Sequence, residues 1–226
     1  VRRDLPESRA RACSRANLHR NLALGFLLAF GVGCGPKTPA SEPRLPDRPY
    51  ECVLHPLATL GPDFTVRQHV EASGHGRGGG FDAVLQKKGG TLVVVGLVAG
   101  IRAFVLKEEG EKISFEQSLG PKMPFPPSYA IIDVHRVYWK ALPRDASTPA
   151  SGTFEGELDG EHVREVWTNG EIVERRFSRP GELEGSVRVT FGPGCSAALC
   201  RPKTVRIENE WFGYAVTIEN EEFTAL

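Results

Sequence analysis

The chain has none of the compact motifs that announce common catalytic centres. It contains no Gly-x-Ser-x-Gly nucleophile elbow and no His-Glu-x-x-His pair. It also has no excess of charge: 28 basic residues balance 28 acidic ones, and no basic block occurs beyond the first 21 residues. A nucleic-acid partner is therefore not expected, because such partners are held by clustered lysine and arginine. Cysteine is scarce, at five residues, and no second close cysteine pair or nearby histidine completes a tetrahedral metal site. His55, His69, His75, His135 and His162 are scattered through unlike contexts, so no catalytic residue, metal or cofactor is implied. The apolar stretch 22–32 (LALGFLLAFGV) reaches only about 17 Å as a helix, against a bilayer core of about 30 Å.

What that stretch does offer is a secretory pattern. Arg2, Arg3, Arg9, Arg11, Arg15 and Arg20 precede it, and the small residues Gly31 and Gly33 flank its end before Cys34. Phe30-Gly-Val-Gly-Cys34 resembles the lipobox of bacterial lipoproteins, without the usual leucine three residues before the cysteine. The resemblance implies a signal peptide over 1–33, cleavage before Cys34, and fatty acylation (palmitate) of its sulfur. Residues 34–50 hold Pro36, Pro39, Pro43, Pro46 and Pro49 among polar neighbours, a composition expected to stay an extended, flexible tether. Gly35, rather than the aspartate associated with inner-membrane retention in some bacteria, favours an outer-membrane address facing the periplasm. Loss of 1–33 would leave 193 residues and shift the net charge to about −4, since the leader holds six arginines against two acids. Cys52, Cys195 and Cys200 would then meet an oxidising compartment. Cys195 and Cys200 can close a small loop, or Cys52 can pair with either, and one thiol is left over.

Beyond Asp63 the hydrophobic period is two. Strands are expected over 65–71, 81–87, 91–97, 102–107 and 112–116, with a flexible loop at 73–80 (SGHGRGGG). That glycine-rich loop leads into an alternating segment and not a helix, so it does not form a phosphate cradle. Residues 91–97 are apolar on both faces, which predicts a central strand covered on each side. The period then changes: Ala130, Ile131, Val134, Val137, Tyr138 and Ala141 share one helical face, predicting an amphipathic helix over 128–141 ended by Pro143. On it, Asp133 and His135 face different directions, and His135 with Arg136 reads as the helix's polar edge. Strands resume over 153–158, 162–167, 171–178, 186–191, 203–208 and 214–219, with Asp159-Gly160 and Asn169-Gly170 as hairpin turns. Roughly eleven short antiparallel strands and one inserted helix make a mainly β fold whose sheet must curl or close.

Three stretches, 81–106 (FDAVLQKKGGTLVVVGLVAGIRAFVL), 126–139 (PPSYAIIDVHRVYW) and 205–218 (VRIENEWFGYAVTI), resemble a family of bacterial lipoproteins related to LolB, the outer-membrane receptor that accepts lipoproteins from a periplasmic carrier. The resemblance spans about residues 50–220. It implies a LolA/LolB-like domain over 51–226: a curved antiparallel sheet, an unclosed β-barrel, covering one or more helices and enclosing an apolar cavity for acyl chains. It also implies an exposed apolar loop, whose nearest match is Gly96–Ile101 with Leu97 or Val98 at the tip. Phe104, Phe115, Tyr138, Trp139, Trp167, Phe177, Phe191 and Tyr214 fall mostly at inward positions, where they can line a cavity or fill a solid core. Two functions follow. One is a membrane-anchored, non-enzymatic binder of lipid or lipoprotein acyl chains. The other is a structural or interaction lipoprotein of the cell envelope with a filled interior.

Overall fold

The computed structural model describes residues 53–119, 127–145, 147–179, 181, 183–196 and 199–226. The expected signal peptide, the 34–50 tether, Cys34 and Cys52 lie outside the described residues. Eleven strands follow in chain order: β1 Phe64–Gly74, β2 Arg77–Lys88, β3 Thr91–Val98, β4 Ile101–Glu109, β5 Lys112–Gln117, then, beyond a helix, β6 Gly152–Leu158, β7 Glu161–Thr168, β8 Glu171–Arg179, β9 Leu183–Phe191, β10 Thr204–Asn209 and β11 Tyr214–Ala225. The helix, α1, spans Pro127–Tyr138. All strands belong to one antiparallel sheet ordered β5-β4-β3-β2-β1-β11-β10-β9-β8-β7-β6. The first and last strands pair in its middle, β5 and β6 are its free edges, and the barrel stays unclosed, as expected from the sequence.

Four turns show why the hairpins form where they do. His75-Gly76, Ala99-Gly100, Asp159-Gly160 and Asn169-Gly170 all have positive φ at both residues. That geometry matches the right-handed twist of the flanking strands. The first of them corrects the expectation of a loop at 73–80. Gly78, Gly79 and Gly80 pair with Ser73, Ala72 and Glu71, so the glycine run is strand. Glycines carry no side-chain alternation to read, which is why the pattern missed them. Gly74 is needed for a different reason: a Cβ there would lie 2.9 Å from that of Tyr214 on β11.

The sheet curls around α1. Glu108 on β4 and Glu161 on β7 sit eight strand positions apart in the sheet order, about 38 Å if the sheet were flat. Yet they contact the adjacent helix residues His135 and Arg136. The helix therefore divides the interior into two cores. Ile131 joins Leu57, Val66, Leu85, Leu92 and Leu106 under β1–β4. Val137 joins Val163, Phe177, Val187, Val189 and Val205 under β7–β10. α1 ends at Tyr138, five residues before Pro143. The amides of Trp139 and Lys140 both donate to the His135 carbonyl, and the Arg175 guanidinium caps the Arg136 carbonyl at 2.6 Å.

β3 departs from its expected double cover. Leu92 is buried on the inner face, but Val93, Val95 and Leu97 are only half-buried on the outer face. Register places Val95 between Val84 and Val105, so an outward row of valines crosses β2, β3 and β4. Apolarity on both faces here marks a central strand with one uncovered side.

Candidate functional site

Inside the sheet, α1 carries charge where a hydrophobic face would suffice. Asp133, His135 and Arg136 are all buried, at 4%, 0% and 1% exposure, which corrects the reading of His135 and Arg136 as a polar edge. Each finds a partner on the sheet. Arg136 donates to Asp133 Oδ1 at 2.9 Å and to Glu161 Oε1 at 2.6 Å, and its guanidinium lies over the rings of Phe177 and Trp211. The Tyr214 hydroxyl bonds Asp133 Oδ2 and takes a hydrogen bond from Asn209 Nδ2. Burial pushes the Asp133 carboxyl up to about 7, aided by the Glu161 charge and opposed by hydrogen bonds from Tyr214 and Asn209. His135 turns the other way, to Glu108 at 2.9 Å. Lys140 bonds Asp159, and Glu165 accepts from Arg175, from the Trp167 indole and from the Leu142 amide. These contacts clamp α1 to the sheet and place charged side chains beside the helix's middle.

Beyond the helix's C-terminal end the filling stops. A pocket of about 360 Å³ opens there, between the end of α1, the segment 59–62 before β1, the turn closed by Cys195 and Cys200, and the end of β11. Its aromatic wall is Phe64, Tyr138, Trp139, Trp167 and Phe223. Phe64 holds this wall together, with ring centroids 5.5 Å from Tyr138, 6.4 Å from Trp139 and 5.8 Å from Phe223. Tyr138 is fixed from behind, since Gln68 donates to its hydroxyl and to Asn220. Burial pushes its phenol well above the ordinary value, so it stays protonated at neutral pH. On the opposite side Cys195 and Cys200 are joined in a disulfide, which pins the loop between β9 and β10.

The expected lining residues divide into three groups. Tyr138, Trp139 and Trp167 face this pocket. Phe104 and Phe115 instead form a separate cluster with Phe81, at 5.4 and 6.0 Å between centroids, with the Phe104 ring lying over Gly96. Phe177, Phe191 and Tyr214 pack in the core, with Arg136 over Phe177 and Arg175 over Phe191. Phe64, Phe223, Arg144 and Arg201 also line the pocket and were not expected. Alternation marked the inner face of the strands but carried no signal for the arginines, which stand on irregular segments.

The expected apolar tip is the turn between β3 and β4. Val98 is 47% and Ile101 60% exposed, while Leu97 is half-buried opposite Arg102. The tip lies six residues along β3 from Leu92, the level of Phe64, and so about 20 Å from the pocket end of the sheet. Among the described residues no group of three His, Cys, Asp or Glu is placed to hold a metal ion, and no helix is long and apolar enough to cross a membrane.

Residues 65–222 match the family model described as a protein of unknown function, DUF3261. The chain belongs to the DUF3261 family. The DUF3261 match covers α1 and nearly the whole sheet, and Phe64 and Phe223 of the pocket wall stand just outside its two ends. No curated protein matches the chain. Among solved structures it is similar to a LolA superfamily protein from Nitrosomonas europaea, at 10% identity and a TM-score of 0.41, over 72% of this chain and 86% of that one. It is also similar to a DUF1329 family protein from Desulfovibrio piger, at 9% identity and a TM-score of 0.36, over 75% of this chain and 87% of that one.

Proposed function

We propose that this protein is a non-enzymatic lipoprotein of the cell envelope that binds an acyl chain in the pocket at the end of α1. The observation that carries the reading is the pocket itself: about 360 Å³ walled by five aromatic side chains where an open sheet meets its helix. That volume lies at the small end of the roughly 300–1,000 Å³ usual for ligand pockets, enough for one chain and not for several. Acylated Cys34 would anchor the domain, and the 34–50 tether would let it work close to a membrane, with the outer membrane as the preferred address. Val98 and Ile101, held out at a tight turn, fit contact with the apolar part of a bilayer or with a lipoprotein's acyl chains.

The test uses the full chain carrying Cys34→Ser, so that no covalent lipid confounds the result. Mass spectrometry of extracted lipid is expected to find retained acyl lipid, and unlabelled fatty acid is expected to displace a fluorescent one. Absence of both would overturn the reading. For the anchor, labelled palmitate should enter the wild-type chain and not Cys34→Ser; equal labelling would rule it out.

A second reading is favoured by the buried ionic network. Because charges fill the space beside α1, the same fold can serve as a structural or interaction lipoprotein, with the half-exposed valines of β2, β3 and β4 as its contact face. It predicts no retained lipid.

A further inference from the structure

The charge of the pocket wall restricts what can enter it. Two of its described residues are arginines, Arg144 and Arg201, and none of the described ones is an aspartate or glutamate. Elsewhere on the same side of the fold, Arg136 and Arg175 each hold a carboxylate. Among the described residues, Arg144 and Arg201 form no ion pair. Arg144 is fixed by stacking and not by charge: its guanidinium lies 4.0 Å from the Trp167 ring centroid and 4.5 Å from that of Phe154. Its Nη2 donates to the Pro149 carbonyl at 2.6 Å, while Nη1 is buried with no hydrogen-bond partner among the described residues. Arg201 lies over Phe223, 5.8 Å from the ring centroid. Stacking occupies the faces of a guanidinium and leaves its edge donors able to grip a planar or tetrahedral oxyanion.

We infer that the pocket selects an anionic amphiphile, with a carboxylate or phosphate head against Arg144 and Arg201 and its chain along the wall of Phe64, Trp139 and Phe223. This rests on the reading of the pocket as an acyl-chain site and adds the head-group chemistry to it. A neutral head would leave both guanidinium charges without a counterion, and a cationic one would add a like charge to them.

The inference is tested with one chain length and four heads: dodecanoate, dodecyl phosphate, dodecanol and dodecyltrimethylammonium, titrated into the full chain carrying Cys34→Ser and read by tryptophan fluorescence. One charge-assisted contact predicts dodecanoate and dodecyl phosphate bound at least about tenfold more tightly than dodecanol, and the cation bound most weakly. Arg144→Gln with Arg201→Gln should abolish that preference, so that dodecanoate and dodecanol bind with similar affinity, and Arg144→Lys should keep part of it. Equal binding of dodecanol and dodecanoate by the unsubstituted pocket, or a preference surviving in the double glutamine variant, overturns the head-group assignment but leaves the acyl-chain reading standing. Binding of none of the four overturns both. Inorganic phosphate separates the two sources of the anion: if it binds as tightly as dodecyl phosphate, the site takes free phosphate and the amphiphile assignment fails. Circular dichroism melts check that each variant folds; if the double variant does not, the head-group series on the unsubstituted arginines decides alone.

Discussion

The two halves of the sheet, β1–β5 and β6–β11, solve the same burial problem with different chemistry. Under the first half the interior is built on Leu85, Leu92 and Leu106 together with Phe64, and among the described residues its tie to the helix's charged side chains is Glu108 with His135. Under the second half, Arg136, Glu161, Glu165 and Arg175 are buried among Trp167, Phe177 and Phe191, and the helix is held there through Asp133, Arg136 and Lys140. The outer faces differ as well. The first half turns out Val84, Val95 and Val105, while the second turns out a row running Glu155, Arg164, Arg176, Arg188 and Glu208. α1 is thus mechanically part of the second half, and the first half closes over it mainly through nondirectional packing. Buried charges of this kind add little net stability when paired and cost much when one partner is removed.

That asymmetry can be broken directly. Arg136→Met removes the closest counter-charge of Glu161, leaving Arg179 at 3.9 Å and Lys140 at 4.0 Å, and should lower unfolding stability by about 3–5 kcal/mol in denaturant titration. On the other side, Glu108→Gln keeps a hydrogen bond to His135 and should cost about 1–3 kcal/mol in the same titration. Equal losses at the two sites would mean that the helix is held evenly by both halves.

A pH series sharpens the comparison further. The folded Asp133 carboxyl, near 7, lies above its unfolded value of 3.8, so folding takes up a proton between these limits. Its stabilising contribution is complete below about pH 4 and is lost as pH rises through 7. Asp63 acts in the opposite sense. A hydrogen bond from Lys87, with another from the Gly89 amide, holds its carboxyl low, so its contribution is lost as pH falls. Asp133→Asn should therefore remove a fall in melting temperature between about pH 4 and pH 7 and leave the acid-side loss in place; an unchanged profile would discount the burial of this carboxyl.

The smallest effect belongs to the turn of the first half. Ala99 has φ of 50°, a region that side chains with a Cβ populate at a cost, and Ala99→Gly should raise stability by up to about 1 kcal/mol in thermal unfolding. A loss there would show that the turn gains more from the methyl group than it spends on strain.

The strands and the helix were legible because Val187, Val189 and Phe191, or Ile131, Val134 and Val137, repeat at the period of their element, and periodicity depends only on local geometry. Counting those strands gave a sheet that must curl or close, and the resemblance to LolB-related lipoproteins implied that it stays unclosed, as it does. What periodicity cannot register is the identity of a partner far away in the chain. Asp133, His135 and Arg136 look solvent-seeking until Tyr214, Glu108 and Glu161 are folded against them, from 81, 27 and 25 residues away. Gly78–Gly80 are strand only because β1 pairs with them. The pocket was legible in kind, through Tyr138, Trp139 and Trp167, and not in charge. Arg144 and Arg201 reach it from segments with no repeat.

The pairing of β1 with β11 also has a temporal meaning. Phe64 lies opposite Ala225, so the centre of the sheet is made by the two strands farthest apart in the chain. Closing so long a loop is entropically slow, and sheets dominated by such distant pairings fold in milliseconds to seconds. The meanders β1–β5 and β6–β10 can each assemble as the chain is made, but neither can be locked to the other until β11 is in place. Loss of β11 alone would remove the seam between them and leave Val66 and Val205 at two new, sticky edges, so the formation of β11 is the step that commits these strands to one sheet instead of two.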